Sequence, residues 1–97
     1  MAIQMGKPAM KPQGDFEVID LEALCEQGLF REQVFRSHMS QMDWSHYAGK
    51  EVLVKGCGNI PIPTWAYMFV AMQAGQKAKA VWYGEAAKPI LVYRREG

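Results

Sequence analysis

Cys57 stands between two glycines, Gly56 and Gly58, just after the run Glu51-Val-Leu-Val54 and shortly before Pro61, Pro63 and Thr64. A thiol placed where a strand ends and the chain turns toward a helix N-terminus has its thiolate favoured by the helix dipole. It is then a nucleophile or a ligand for a soft metal. The same residue type also serves as a small buried hydrophobe, since free cysteine is among the most buried side chains; position alone leaves both readings open. The flanking glycines allow close approach to the backbone, but Gly-Cys-Gly lacks the spacing of a phosphate-cradling loop, so nucleotide binding is not expected.

The remaining reactive side chains are sparse. Cys25 has no cysteine three residues away, hence no redox pair, and is read as structural. His38 shares a helical face with Phe35, Met39 and Met42, where a partly buried histidine is commoner than a ligand, and His46 lies in a polar turn at the surface. One cysteine and two histidines do not form a zinc motif, which supplies four ligands at characteristic spacing. No Gly-x-Ser-x-Gly elbow, His-Glu-x-x-His helix or matched carboxylate pair occurs, so conventional catalysis has nothing to rest on. Any metal site would draw on Cys57, shared between chains; no cofactor is specified.

The elements that must position Cys57 follow from patterning. Residues 51–57 are β-branched and closed by glycine, which predicts a strand. Gly58-Asn-Ile-Pro-Ile-Pro63 cannot continue it, because proline lacks the ladder donor and restricts the residue before it. This is a stiff loop, and Gly56, Cys57, Gly58, Asn59, Pro61, Pro63 and Thr64 are the candidate binding residues. Pro63 at a first helical position, or Thr64 as N-cap, opens a helix over 64–74 that Gly75 stops. A strand follows over 80–84, completing a βαβ unit. A third strand, Ile90 to Tyr93, comes after a five-residue loop, Glu85 to Pro89.

Upstream, Phe16 and Val18 alternate as in a strand, Asp20 is a plausible N-cap, and Phe35, His38, Met39 and Met42 mark an amphipathic helix from Arg31 to Met42. The fold class is α/β: a sheet of three to four strands around the βαβ unit, with one or two further helices. Residues 1–14, rich in Gly, Pro and Lys, are a flexible tail, and 15–97 a single domain.

A hydrophobic fraction of 49% with 22% charged residues predicts a folded chain. The net charge of +1, with basic residues dispersed, argues against nucleic acid and anionic membranes. For the same reason Trp65, Tyr67, Trp82 and Tyr83 are read as packing rather than as a base-stacking platform. The apolar run from Trp65 to Met72 is far short of the ~20 residues of a membrane span, and two cysteines are too few for a secreted disulfide framework. A cytoplasmic, soluble protein is expected. The helix over 64–74 has no polar face: Ala66, Val70 and Ala74 form a slim stripe for the sheet, while Trp65, Met68, Phe69 and Met72 form a bulky one. A chain of this size hardly covers both, so the bulky stripe is expected to be a homodimer interface.

Ile19-Asp-Leu-Glu22, Phe35-Arg36, Asp43-Trp-Ser45 with Tyr47 and Gly49-Lys50, Lys55-Gly-Cys57, Pro61-Ile-Pro-Thr-Trp-Ala-Tyr67, and Tyr83-Gly-Glu85 with Tyr93-Arg94 together resemble an uncharacterised family of small bacterial proteins, the domain of unknown function DUF2480. Its members look like two tandem copies of strand, cysteine, Pro-Thr and helix, whereas this chain carries one. Its genes often stand beside those of iron-sulfur cluster assembly. The resemblance therefore implies an accessory role in iron-sulfur or sulfur metabolism, with iron-sulfur assembly proteins as partners and Cys57 matching the family's strand-end cysteine. The expectation is a non-catalytic binding or scaffold module acting as a homodimer. The alternatives are a thiol-dependent enzyme or persulfide carrier using Cys57, and a metal-binding protein with its site shared between subunits.

Overall fold

The computed structural model describes residues 15–56 and 58–95; Cys57 and the segment 1–14 read as a tail lie outside the described residues. Four strands, β1 (Glu17–Asp20), β2 (Glu51–Lys55), β3 (Ala80–Glu85) and β4 (Lys88–Arg94), form one sheet in the order β1-β2-β3-β4. The pairs β1/β2 and β2/β3 are parallel and β3/β4 is antiparallel. Parallel neighbours need a crossover, and each has a helix in it: α1 (Glu32–Gln41) between β1 and β2, α2 (Thr64–Gly75) between β2 and β3. The expected α/β class and the central βαβ unit are both present.

Strand alternation divides the core in two. Val52, Val54, Val81 and Ile19 point to the helical face and form one cluster with Phe35 and Met39 of α1 and Ala66, Val70 and Ala74 of α2. The four-residue spacing of Ala66, Val70 and Ala74 is the slim stripe read from the sequence, and all three are fully buried. On the opposite face Leu53, Ala80 and Trp82 cluster with Phe16 and Leu91. There the buried Glu51 carboxylate accepts a hydrogen bond from the Trp82 indole at 2.7 Å. It also receives both terminal nitrogens of Arg94, at 3.2 and 3.3 Å.

The bulky side of α2 divides as well. Trp65 and Phe69 turn to α1: the Trp65 ring lies 5.5 Å from Phe35 and 5.8 Å from Phe30, and Phe69 lies 5.7 Å from Phe35. The Arg36 guanidinium sits over Trp65 at 5.0 Å. Met68 and Met72 stay exposed.

Four local expectations are corrected. His38 is exposed rather than part of the apolar face, because it falls off the line through Phe35 and Met39 that meets the sheet. Pro63 takes the N-cap position of α2 and Thr64 the first helical one, so no side chain caps that end. Asp20 does cap, its carboxylate accepting the Glu22 N–H at 3.0 Å, but it opens a single 3-10 turn, Leu21–Leu24. The five-residue loop before the last strand shrinks to the turn Ala86 and Ala87, and Pro89 lies inside β4. Proline is tolerated there because β4 is an edge strand.

Candidate functional site at the carboxyl edge of the parallel strands

Three parallel strands deliver their C-terminal ends to one edge, at Asp20, Lys55 and Glu85, and α2 begins from that edge. In open α/β sheets this is where ligands bind, because the loops that leave the strands line a crevice there. The candidate loop from Gly56 to Thr64 lies on it. Lys55 ends β2, and the Gly56 N–H continues the pairing by donating to the Gly84 carbonyl at 3.0 Å. Cys57 is outside the described residues; the glycines on either side are within them.

Both glycines lie close against a neighbouring side chain. A Cβ on Gly56 would stand 2.5 Å from the Tyr83 ring, and one on Gly58 would overlap the Glu22 carboxylate. The backbone flanking Cys57 is therefore walled by a phenol on one side and an acid on the other. Tyr83 in turn meets Tyr67, from the first turn of α2, edge to face at 5.4 Å. Asp20 lies 3.7 Å from Lys55, while Cys25 donates from its thiol to the Leu21 carbonyl at 3.6 Å.

The electrostatics of this edge are acidic. Burial raises the Cys25 thiol above its ordinary value, and Glu22 and Asp20 push it further the same way. Burial also raises the Tyr67 phenol, helped by Tyr83, Glu22, Asp20 and Cys25. Cys25 is thus a neutral thiol at pH 7, which agrees with its structural reading. Asn59 and Pro61 are exposed and Pro63 half-buried, so the far half of the loop faces solvent. Among the described residues, no three His, Cys, Asp or Glu side chains gather as metal ligands. What the edge offers is hydrogen bonding from two phenols and two carboxylates beside a glycine-flanked backbone.

The sequence offers the loop as a candidate but not these neighbours. Asp20, Glu22, Tyr67 and Tyr83 carry no catalytic spacing, because β1 with the turn after it, β3 and the first turn of α2 bring them together. The available signal was topological: each lies near the carboxyl end of a parallel strand or in the first turn of the crossover helix.

The fold defines a small α/β protein with a four-stranded mixed sheet. The chain belongs to the family described as protein of unknown function (DUF2480), whose model matches residues 22–95. No curated protein and no solved structure matches it. No helix among the described residues is long and apolar enough to cross a membrane.

Proposed function

We propose that this is a cytoplasmic, non-catalytic binding or scaffold module, acting as a homodimer and serving iron-sulfur or sulfur metabolism through the loop from Gly56 to Thr64. The observation that carries the loop assignment is its place at the carboxyl edge of the parallel strands, with Gly56 against the Tyr83 ring and Gly58 against the Glu22 carboxylate. The link to sulfur chemistry comes from the family resemblance and from the one cysteine that the loop contains. Iron-sulfur assembly proteins are the partners this reading implies.

Anaerobic purification of the full chain, followed by measurement of iron, acid-labile sulfide and persulfide sulfur, tests it beside Cys57→Ser and Cys25→Ser. Sulfur or iron retained by wild type and by Cys25→Ser, but lost in Cys57→Ser, is the expected result. A wild-type protein free of all three, or one unchanged by Cys57→Ser, overturns the sulfur assignment.

A further inference from the structure

An apolar groove of about 430 Å³ runs between α2 and β4 on the helical face, lined by Ala71, Met72, Gly75, Gln76, Val92 and Tyr93. It exists because α1 and α2 cover β1 to β3 and leave the β4 edge bare. A register shift opposite Val81 and Trp82 leaves Val92 without a partner on β3, and Val92 and Tyr93 both line the groove. Met68 stands in a smaller hollow that also includes Ala71 and Val92, so a methionine ridge runs directly beside the groove. Among the described residues, no charged side chain lines either hollow.

The exposures are large for apolar residues: Met68 67%, Met72 57%, Ile90 61%, Val92 54% and Tyr93 40%. With side chains of this size presenting roughly 150–200 Å² each, they leave about 400–550 Å² per chain. Doubled by symmetry, this is about 800–1,100 Å² when all of it is covered, which brackets the roughly 1,000 Å² that a specific interface needs.

We infer that a second copy of this chain occupies the groove, the Met68 and Met72 ridge of each protomer seated in the Ala71, Gly75, Val92 and Tyr93 groove of the other. The inference rests on the dimeric reading above and gives it an interface. Ridge and groove lie side by side in one patch, and an isologous contact requires that self-complementarity. The lining is mostly apolar, with Gln76 and the Tyr93 phenol as its polar groups and Arg95 at its rim, donating to the Gly75 carbonyl at 2.7 Å and lying 5.9 Å from the Tyr93 ring; an apolar face fits it best. The contact is face to face rather than strand to strand, because Lys88 and Pro89 blunt the free edge of β4. Trp65 and Phe69, engaged on α1, support this ridge from behind.

Light scattering after size exclusion at tens of micromolar, with circular dichroism for folding, compares wild type with Met72→Glu and Val92→Glu. Val18→Glu is the control, an equally exposed apolar position (52%) on the opposite edge strand and the other face. Wild type and Val18→Glu are expected at twice the 11.0 kDa chain mass, and the other two at the chain mass itself. Independently of any variant, amide exchange from Met68 to Gln76 and from Ile90 to Tyr93 should slow as wild-type concentration rises. A monomeric wild type overturns the dimer altogether. A dimer indifferent to both groove variants, or without concentration-dependent protection in those segments, overturns the interface and leaves the dimeric reading standing.

Discussion

Replacing Glu51 with Leu should remove a large part of the stability of this domain. The side chain is 3% exposed and is the common acceptor for the Trp82 indole and for two nitrogens of Arg94. The Arg94 side chain is itself only 15% exposed. Deleting one member of a buried ion pair costs about 3–5 kcal/mol, because the other charge stays behind without its counterion. Small domains have total stabilities of roughly 5–15 kcal/mol, so the loss is about a fifth or more of the whole.

At a urea slope of about 1.5 kcal/mol/M, the midpoint should fall by about 2–3 M. Glu51→Gln keeps an acceptor for the indole but drops the charge, and should lie between, at roughly 1–2 kcal/mol. Adding Arg94→Met to Glu51→Leu should restore part of the loss, since an apolar pair of similar volume leaves no charge stranded. Tryptophan fluorescence in urea reads all of these directly, because Trp82 sits in the network. A Glu51→Leu midpoint within about 0.3 M of wild type would refute the argument.

Two further outcomes follow from the acidic and basic clusters at the sheet ends. Cys25, its thiol raised by burial and by Glu22 and Asp20, should alkylate more slowly than free cysteine at neutral pH; peptide mapping of a brief iodoacetamide pulse measures this, and a faster rate would contradict the acidic surroundings. Glu17 accepts a hydrogen bond from Lys50 at 3.3 Å and lies 3.6 Å from His46, and Lys50 first, then His46, hold its carboxyl below the usual range. A depressed folded-state value means that the stabilisation is complete above the unfolded carboxylate value and is lost as pH falls through the folded one, so Glu17→Gln should flatten the acid limb of a melting-temperature profile. An unchanged acid limb would remove Glu17 from the account.

The parts of this fold legible in the sequence were those with a local signature. The β-branched run at Val52 to Val54 marked β2, the Ala66, Val70 and Ala74 spacing marked the sheet-facing side of α2, and Asp20 showed its capping role. The parts that were not legible depend on partners distant in the chain. Pro89 looked like a loop residue until β4 proved to be an edge, where its missing N–H is harmless. The contacts of Trp65 and Phe69 with Phe30 and Phe35 were not legible, because nothing local shows that those rings meet, and Trp65 stays 36% exposed beside them. At the candidate site, Gly56 and Gly58 were seen as room for a visitor, whereas their own neighbours Tyr83 and Glu22 already occupy it.

The strand order β1-β2-β3-β4 is also the order of the chain. Each strand therefore joins beside its predecessor, and no closure spans more than one crossover. The β3/β4 hairpin, with the turn at Ala86 and Ala87, closes the shortest loop and forms at the lowest entropic cost. If β3 then serves as template for β2, and β2 for β1, assembly is expected to run from this hairpin toward Glu17, with amide protection in β3 and β4 preceding that in β1 during refolding. On that order the carboxyl edge that gathers Asp20, Glu22 and the glycine loop is completed last.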